Sequence, residues 1–145
     1  MPSKSETVLQ ALEAALTGAL PAGARLLRNA YLPERIPSAG LTILRDGDPG
    51  EPEPLMSPPA WLYEHRAEID VIVDRASPDA RDAAFDALKL AIGLALARDR
   101  TLGGVCDYAL GEAPAPVDLA IDGAEGMKAA TIAVVLAYAT EDPLS

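Results

Sequence analysis

The sequence predicts an α+β fold: a mostly antiparallel mixed sheet of about five or six strands with two helices packed on one face. Three observations predict it. Two segments carry helical apolar periodicity behind capping residues, one long segment alternates as a strand does, and the other apolar runs are short and bounded by Pro or Gly. Two helices cannot serve as crossovers for an all-parallel sheet of that size, so most pairings must be antiparallel. With 145 residues the chain suits one domain, 1–145. A domain of this size buries roughly 68–70% of its unfolded surface, enough to fold without disulfides or metals.

The first helix starts at Ser3, which has capping-box spacing with Glu6, and sets Val8, Leu9, Leu12, Leu16 and Leu20 on one face. Gly18 weakens its end, and Pro21 with Gly23 stop it. Residues 25–31 are a short strand candidate, and Leu41-Thr42-Ile43-Leu44 is a second, after Pro33 and Pro37. Residues 46–59 contain five prolines and two glycines. Proline supplies no ladder N–H, so this stretch cannot be a central strand and reads as an exposed, extended arm or loop.

Alternation is clearest from 61 to 74. Trp61, Tyr63, Ala67, Ile69, Val71 and Val73 share one parity with His65, while Glu64, Arg66, Glu68, Asp70 and Asp74 share the other, broken by Leu62 and Ile72. One face of this long strand packs on a core and the other meets solvent or a polar partner. Ser77-Pro78-Asp79 opens the second helix, with Phe85, Leu88, Ile92 and Leu96 as its stripe and Arg98 and Arg100 near its negative end. Gly103-Gly104 break it. Residues 105–110 read as a strand, Pro114 and Pro116 as a loop, 118–121 as a short strand, and Asp122-Gly123 as a turn. Residues 128–138 are apolar on both parities, which predicts a central strand covered on both faces. Residues 140–145 form a polar tail.

Composition narrows the function classes. Alanine fills 28 positions while Phe, Trp and Tyr reach only 4%, so the core must be built from small and aliphatic side chains. A single cysteine, Cys106, excludes an internal disulfide, and a single histidine, His65, excludes a multi-histidine metal centre. Twelve Lys and Arg against 22 Asp and Glu give −10, which opposes tight nucleic-acid binding and attachment to anionic membranes. No apolar run approaches the roughly 18–20 residues of a membrane span, and the N-terminus lacks a secretory pattern. A soluble protein made inside the cell is the expectation.

Phosphate-loop, dinucleotide, Cys-x-x-Cys and nucleophile-elbow motifs are all missing. His65 beside Glu64, Glu68 or Asp70 suggests a general base, but those carboxylates project to the opposite strand face, which favours a structural histidine. The acidic line Glu64, Glu68, Asp70 and Asp74 reads as a solvated face countered by Arg66, as a contact for a basic partner, or as a divalent-cation site. Asp46, Asp48, Glu51 and Glu53 faintly suggest a calcium loop, yet their spacing matches none and solvated turns fit better. Leu55 and Met56 are an apolar pair in this otherwise polar arm, as a docking point would be. Cys106 reads as an inert thiol within a strand.

The order of these elements carries a resemblance. A leading helix ends in Ala-Leu-Pro, and Arg35-Ile36-Pro37-Ser38-Ala39-Gly40-Leu41 leads to Leu44-Arg45-Asp46-Gly47 and the acidic Pro-rich arm. The long strand, the helix opening Ser77-Pro78-Asp79-Ala80-Arg81, Asp99-Arg100-Thr101-Leu102-Gly103-Gly104 and the closing Tyr138-Ala139-Thr140-Glu141-Asp142-Pro143 follow. Over nearly its full length the chain resembles tailed-phage tail terminators, the minor tail protein U-like family found in prophages. The resemblance rests on order and spacing, without a diagnostic residue motif. It implies a non-enzymatic virion protein without cofactors, made in the bacterial cytoplasm and placed in the tail. There a homo-hexameric ring ends polymerisation of the tail tube protein and presents a docking surface to the head–tail connector.

The resemblance also implies that DNA passes through the ring. Six chains at −10 carry roughly −60, and a negative lumen would not hold DNA. Interface residues expected from this reading are Asp46, Asp48, Glu51, Glu53, Leu55 and Met56 of the arm and Glu64, Arg66, Glu68 and Asp70 of the strand face. A neck or head–tail completion protein is one alternative. A small α+β enzyme or ligand-binding domain using His65 is another, of a different class.

Overall fold

A computed structural model describes residues 1–118 and 124–145. In chain order the elements are α1 (Lys4–Thr17), β1 (Arg25–Arg28), β2 (Leu41–Asp48), β3 (Glu53–Met56), β4 (Pro59–Asp74), α2 (Pro78–Arg98), β5 (Tyr108–Gly111), β6 (Ala115–Val117), a 3₁₀ turn (Ala124–Gly126) and β7 (Met127–Thr140). Both helices start as their sequences dictate. The Ser3 hydroxyl accepts from the Glu6 amide and Ser77 from the Ala80 amide, with Pro78 opening α2.

The seven strands among the described residues form one mixed sheet. β1 and β2 are parallel, and every other pairing is antiparallel. Strand order is β1-β2-β4-β7-β5, with β3 also on β4 and β6 also on β7. These seven segments occupy five rows, because β3 continues the row of β2 and β6 the row of β5. The strand number exceeds the expected five or six because two Pro-containing stretches, read as arm and loop, each contribute a short edge strand. Pro54 in β3 and Pro116 in β6 sit on outer rows, where a missing N–H breaks no ladder.

Other boundaries also move. Residues 101–107 are turns, so the strand expected at 105–110 is Tyr108–Gly111 and Cys106 precedes it. The strand expected at 118–121 and the turn at Asp122-Gly123 fall on 119–123, outside the described residues, apart from Asp118.

α1 and α2 both pack on one face. Val8, Leu12 and Leu16 from α1 and Phe85, Leu88, Ile92 and Leu96 from α2 meet Tyr63, Ala67, Ile69, Val71 and Val73 of β4 and Ile132, Val134 and Leu136 of β7 in one core. The opposite face is not covered along its length, against the expectation for β7. Among the described residues one end is closed, where Ile36 from the 29–40 connection and Ala129 pack on Leu41, Ile43 and Ile72. Elsewhere β7 offers half-buried Thr131, Ala133 and Val135 beside the charged side chains of β4. Small residues explain why this strand looked buried on both parities.

The register between β2 and β4 slips once. Arg45 pairs with Glu68 and Asp48 with Arg66, so Asp46 and Gly47 together oppose Ala67, a β-bulge. Gly47 has φ +72°, and a Cβ there would lie 1.9 Å from the Arg66 carbonyl oxygen. Gly50 shares the conformation, φ +71°, with nothing within 4 Å of its Cβ position. Gly50→Ala should therefore cost about 1–2 kcal/mol, the left-handed penalty alone. Gly47→Ala should cost distinctly more, about 2–4 kcal/mol. Denaturant melts of the two variants compare them, and equal losses would show that the bulge tolerates a side chain.

Candidate functional site

The ten residues expected at an interface fall into three places. Asp46 faces the helices. Asp48, Glu51, Glu53, Leu55 and Met56 follow one another along the β2–β3 row, only Leu55 and Met56 lying beyond the last β7 partner, and Glu64, Arg66, Glu68 and Asp70 line the face without helices.

Asp46 sits in the bulge. Its carboxylate accepts from Arg28 Nη2 at 2.9 Å and Asn29 Nδ2 at 3.0 Å. Arg28 in turn makes a bidentate pair with Glu6 of α1, at 2.7 and 2.8 Å. Hydrogen bonding to Arg28 holds the Glu6 carboxyl below its ordinary value. Burial pushes the Asp46 carboxyl up, but Asn29 and Arg28 outweigh it and the net direction is down. This is an ionic clasp between α1, β1 and β2, and its members are not a solvated turn.

His65 is buried beneath the same bulge. Its Nε2 lies 2.6 Å from the Asp46 carbonyl oxygen, which can only accept, so Nε2 carries the proton. Nδ1 lies 2.8 Å from the Tyr138 hydroxyl and accepts from it in the neutral ring. Burial pushes the Tyr138 phenol up to about 12, so it stays a donor. Both ring nitrogens are engaged, and the strand's carboxylates lie on the far face, as the parity argument required. The Cys106 thiol is buried too, and burial raises its pKa.

The hairpin is built on β4. The β2–β3 row and β4 run antiparallel, with residues 49–52 bridging β2 to β3 opposite residues 63–65. The Asp48 carboxylate accepts from the Gly50 amide and shapes that bridge. Glu53 pairs with Leu62 and Leu55 with Ala60, so both point to the open face, while Pro54 and Met56 share the other side with Trp61 and Pro59. Glu51, Glu53, Leu62 and Glu64 line one shallow hollow of about 240 Å³. The structure thus joins the arm's acids to the first acid of the strand face. Met56 is 81% exposed and Leu55 39%, at the tip of this ribbon.

Along the open face the acids have separate partners. Glu64 accepts from the Tyr108 hydroxyl at 3.4 Å, and Asp70 from Arg45 at 2.7 Å and Thr131 at 2.8 Å. Arg66 makes a bidentate pair with Glu112 at 2.6 and 2.8 Å, so its main counter-charge comes from beyond β5 and not from its own strand. Among the described residues, no three His, Cys, Asp or Glu are grouped to hold a metal ion. No helix among them is long and apolar enough to cross a membrane.

Sequence reading missed a further surface. Leu90 and Leu94 of α2 are 62% and 53% exposed, on the side away from the core. Their spacing was legible, but the stronger stripe of Phe85, Leu88, Ile92 and Leu96 obscured it. A scan against protein-family models finds no match to this chain, and no curated protein matches it.

The clasp sets a pH dependence. Glu6 and Asp46 lie below their ordinary 4.5 and 3.8 in the folded chain. The unfolded chain therefore takes up protons first as pH falls, and stability held above those ordinary values is lost through the carboxylate range. Arg28→Met should cost about 1–2 kcal/mol at pH 7, and the gap from wild type should narrow below about pH 4. Thermal unfolding of both proteins from pH 7 to 3 measures it. A gap that stays constant would mean that Arg28 stabilises by packing alone.

Proposed function

We propose that the chain is a structural subunit that assembles with copies of itself into a ring closing the tail tube of a tailed phage. The ring ends tube growth and offers a docking surface to the head side. One observation carries the assembly reading most: the β3–β4 hairpin presents Leu55 and Met56 at the tip of a ribbon whose second strand is the central strand of the sheet. Apolar side chains held on a stiff projection are placed to meet another surface and not their own core. The order of elements, which resembles tail terminators, directs that reading to the tail.

Two further features support it. The hairpin and open face concentrate Glu51, Glu53, Glu64 and Glu68, exposed carboxylates suited to a basic partner surface or a DNA-repelling lumen. His65, the residue on which a catalytic alternative would rest, is engaged at both nitrogens and buried. In this reading the partners are further copies of the chain, the tube protein and the head-side connector.

Deleting the gene from its source element and imaging the particles tests the placement. Overlong, variable tails without heads are expected. Tails of normal length that fail to join heads would move the protein to the neck, and normal infectious particles would overturn both placements. The hairpin is tested separately. Leu55→Asp with Met56→Asp should leave the thermal midpoint nearly unchanged, since exposed substitutions shift stability by about 0.5 kcal/mol or less, while abolishing complementation of the deletion. Full complementation by that variant would remove the hairpin tip from the interface.

A further inference from the structure

α2 has a second apolar face. Ala83, Ala87, Leu90, Leu94 and Ala97 recur at spacings of four and three, and all five are exposed. That alternation averages 3.5 residues, the repeat of a helix–helix seam, and it runs opposite the side that fills the core. Single exposed leucines need no explanation. A continuous stripe over about four turns does, because the outer face of a helix packed on a sheet is ordinarily polar.

The charges beside the stripe are segregated. Asp79, Asp82 and Asp86 occupy the first half of the helix, and Lys89 and Arg98 follow in the second, while Arg100, just past its end, donates to the Ala109 carbonyl. Two residues break this pattern, and both are engaged locally. Arg81 donates to the carbonyls of Arg75 and Glu125, and the Asp99 carboxylate accepts from the amides of Thr101 and Gly103. Asp82 and Asp86 have only exposed surface pairs, with Lys128 and Lys89, of the kind worth little by themselves.

We propose that this face binds a second copy of the chain, helix against helix and antiparallel, across a two-fold axis near Leu90. A parallel copy would set acid against acid and base against base. An antiparallel copy sets the acidic half of each helix beside the basic half of the other and opposes the two macrodipoles. The stripe is also nearly palindromic. With the axis near Leu90, Leu90 meets its own copy, Ala87 meets Leu94, and Ala83 meets Ala97. Only near the axis do two large side chains face each other, so the helices can approach closely along most of the seam. The contact is isologous and closes on a dimer. It uses neither the hairpin nor the open sheet face, so it stands independently of the ring.

Sedimentation equilibrium of the full chain, with mild oxidation of Leu90→Cys, tests the dimer and its geometry together. Wild type should be a concentration-dependent dimer. Leu90→Asp with Leu94→Asp should raise its dissociation constant at least about tenfold while leaving the thermal midpoint unchanged at concentrations where wild type is monomeric. Leu90→Cys should form a covalent dimer, while wild type, whose Cys106 is buried, and Leu55→Cys should not. A wild-type monomer at all concentrations, or a dimer that survives the double aspartate, would overturn the proposal. So would cross-linking of Leu55→Cys to Leu94→Cys in a doubly substituted chain, which would assign the helix face to a neighbour's hairpin.

Discussion

Asp46 stands where β2 steps sideways past Arg66, and three otherwise separate parts of the chain are held through that one residue. Its carbonyl, turned out of the ladder by the bulge, is taken up by buried His65. Its carboxylate holds Arg28, and Arg28 holds Glu6 on α1. The bulge leaves this carbonyl in need of a donor, and the histidine supplies one. The bulge is possible because residue 47 is glycine. Position 47, the imidazole and the helix clasp are thus one device, although the residues lie far apart in sequence.

The rest of the architecture follows from where that step occurs. Before it, β2 buries Leu41, Thr42, Ile43 and Leu44; after it, the same row is exposed and carries the charges of the hairpin. Beyond Thr140, the partner of Trp61, β7 no longer accompanies β4, so the end of the hairpin projects from the sheet. The projection is stiffened by two strands and by prolines on its outer row, where they also discourage uncontrolled edge pairing. Burial along the β2–β3 row ends at Asp46, and the projecting surface begins at Leu55.

Much of this was legible because it depends on period. The parity of β4 separated its buried from its charged side chains, including His65 from Glu64 and Glu68, before any coordinates. Capping residues placed both helix starts. What escaped was chemistry between distant residues: nothing local marks Arg28 as the partner of both Glu6 and Asp46, or Glu112 as the partner of Arg66. Proline density predicts loop because it excludes central strands, yet the same rule permits edge strands, and β3 and β6 are that case. The closing strand reads as buried on both parities because alanine is neutral evidence; Ala133 is half-buried on the open face.

Net charge limits how copies of this chain can meet. At −10 they repel at long range, but physiological salt screens that repulsion beyond about 8 Å, so association is decided by short-range contacts. The hairpin tip offers apolar side chains amid acid, and it needs a partner surface with the opposite charge. The outer face of α2 is different, since it holds both charge signs at opposite ends and can satisfy itself. A heterologous contact at the hairpin generates rings or chains, whereas an isologous contact on α2 stops at two. Two surfaces of such different symmetry can coexist on one subunit without competing, because neither residue set overlaps the other. A ring built through the first would leave the second free to join a facing ring or to pair subunits before assembly.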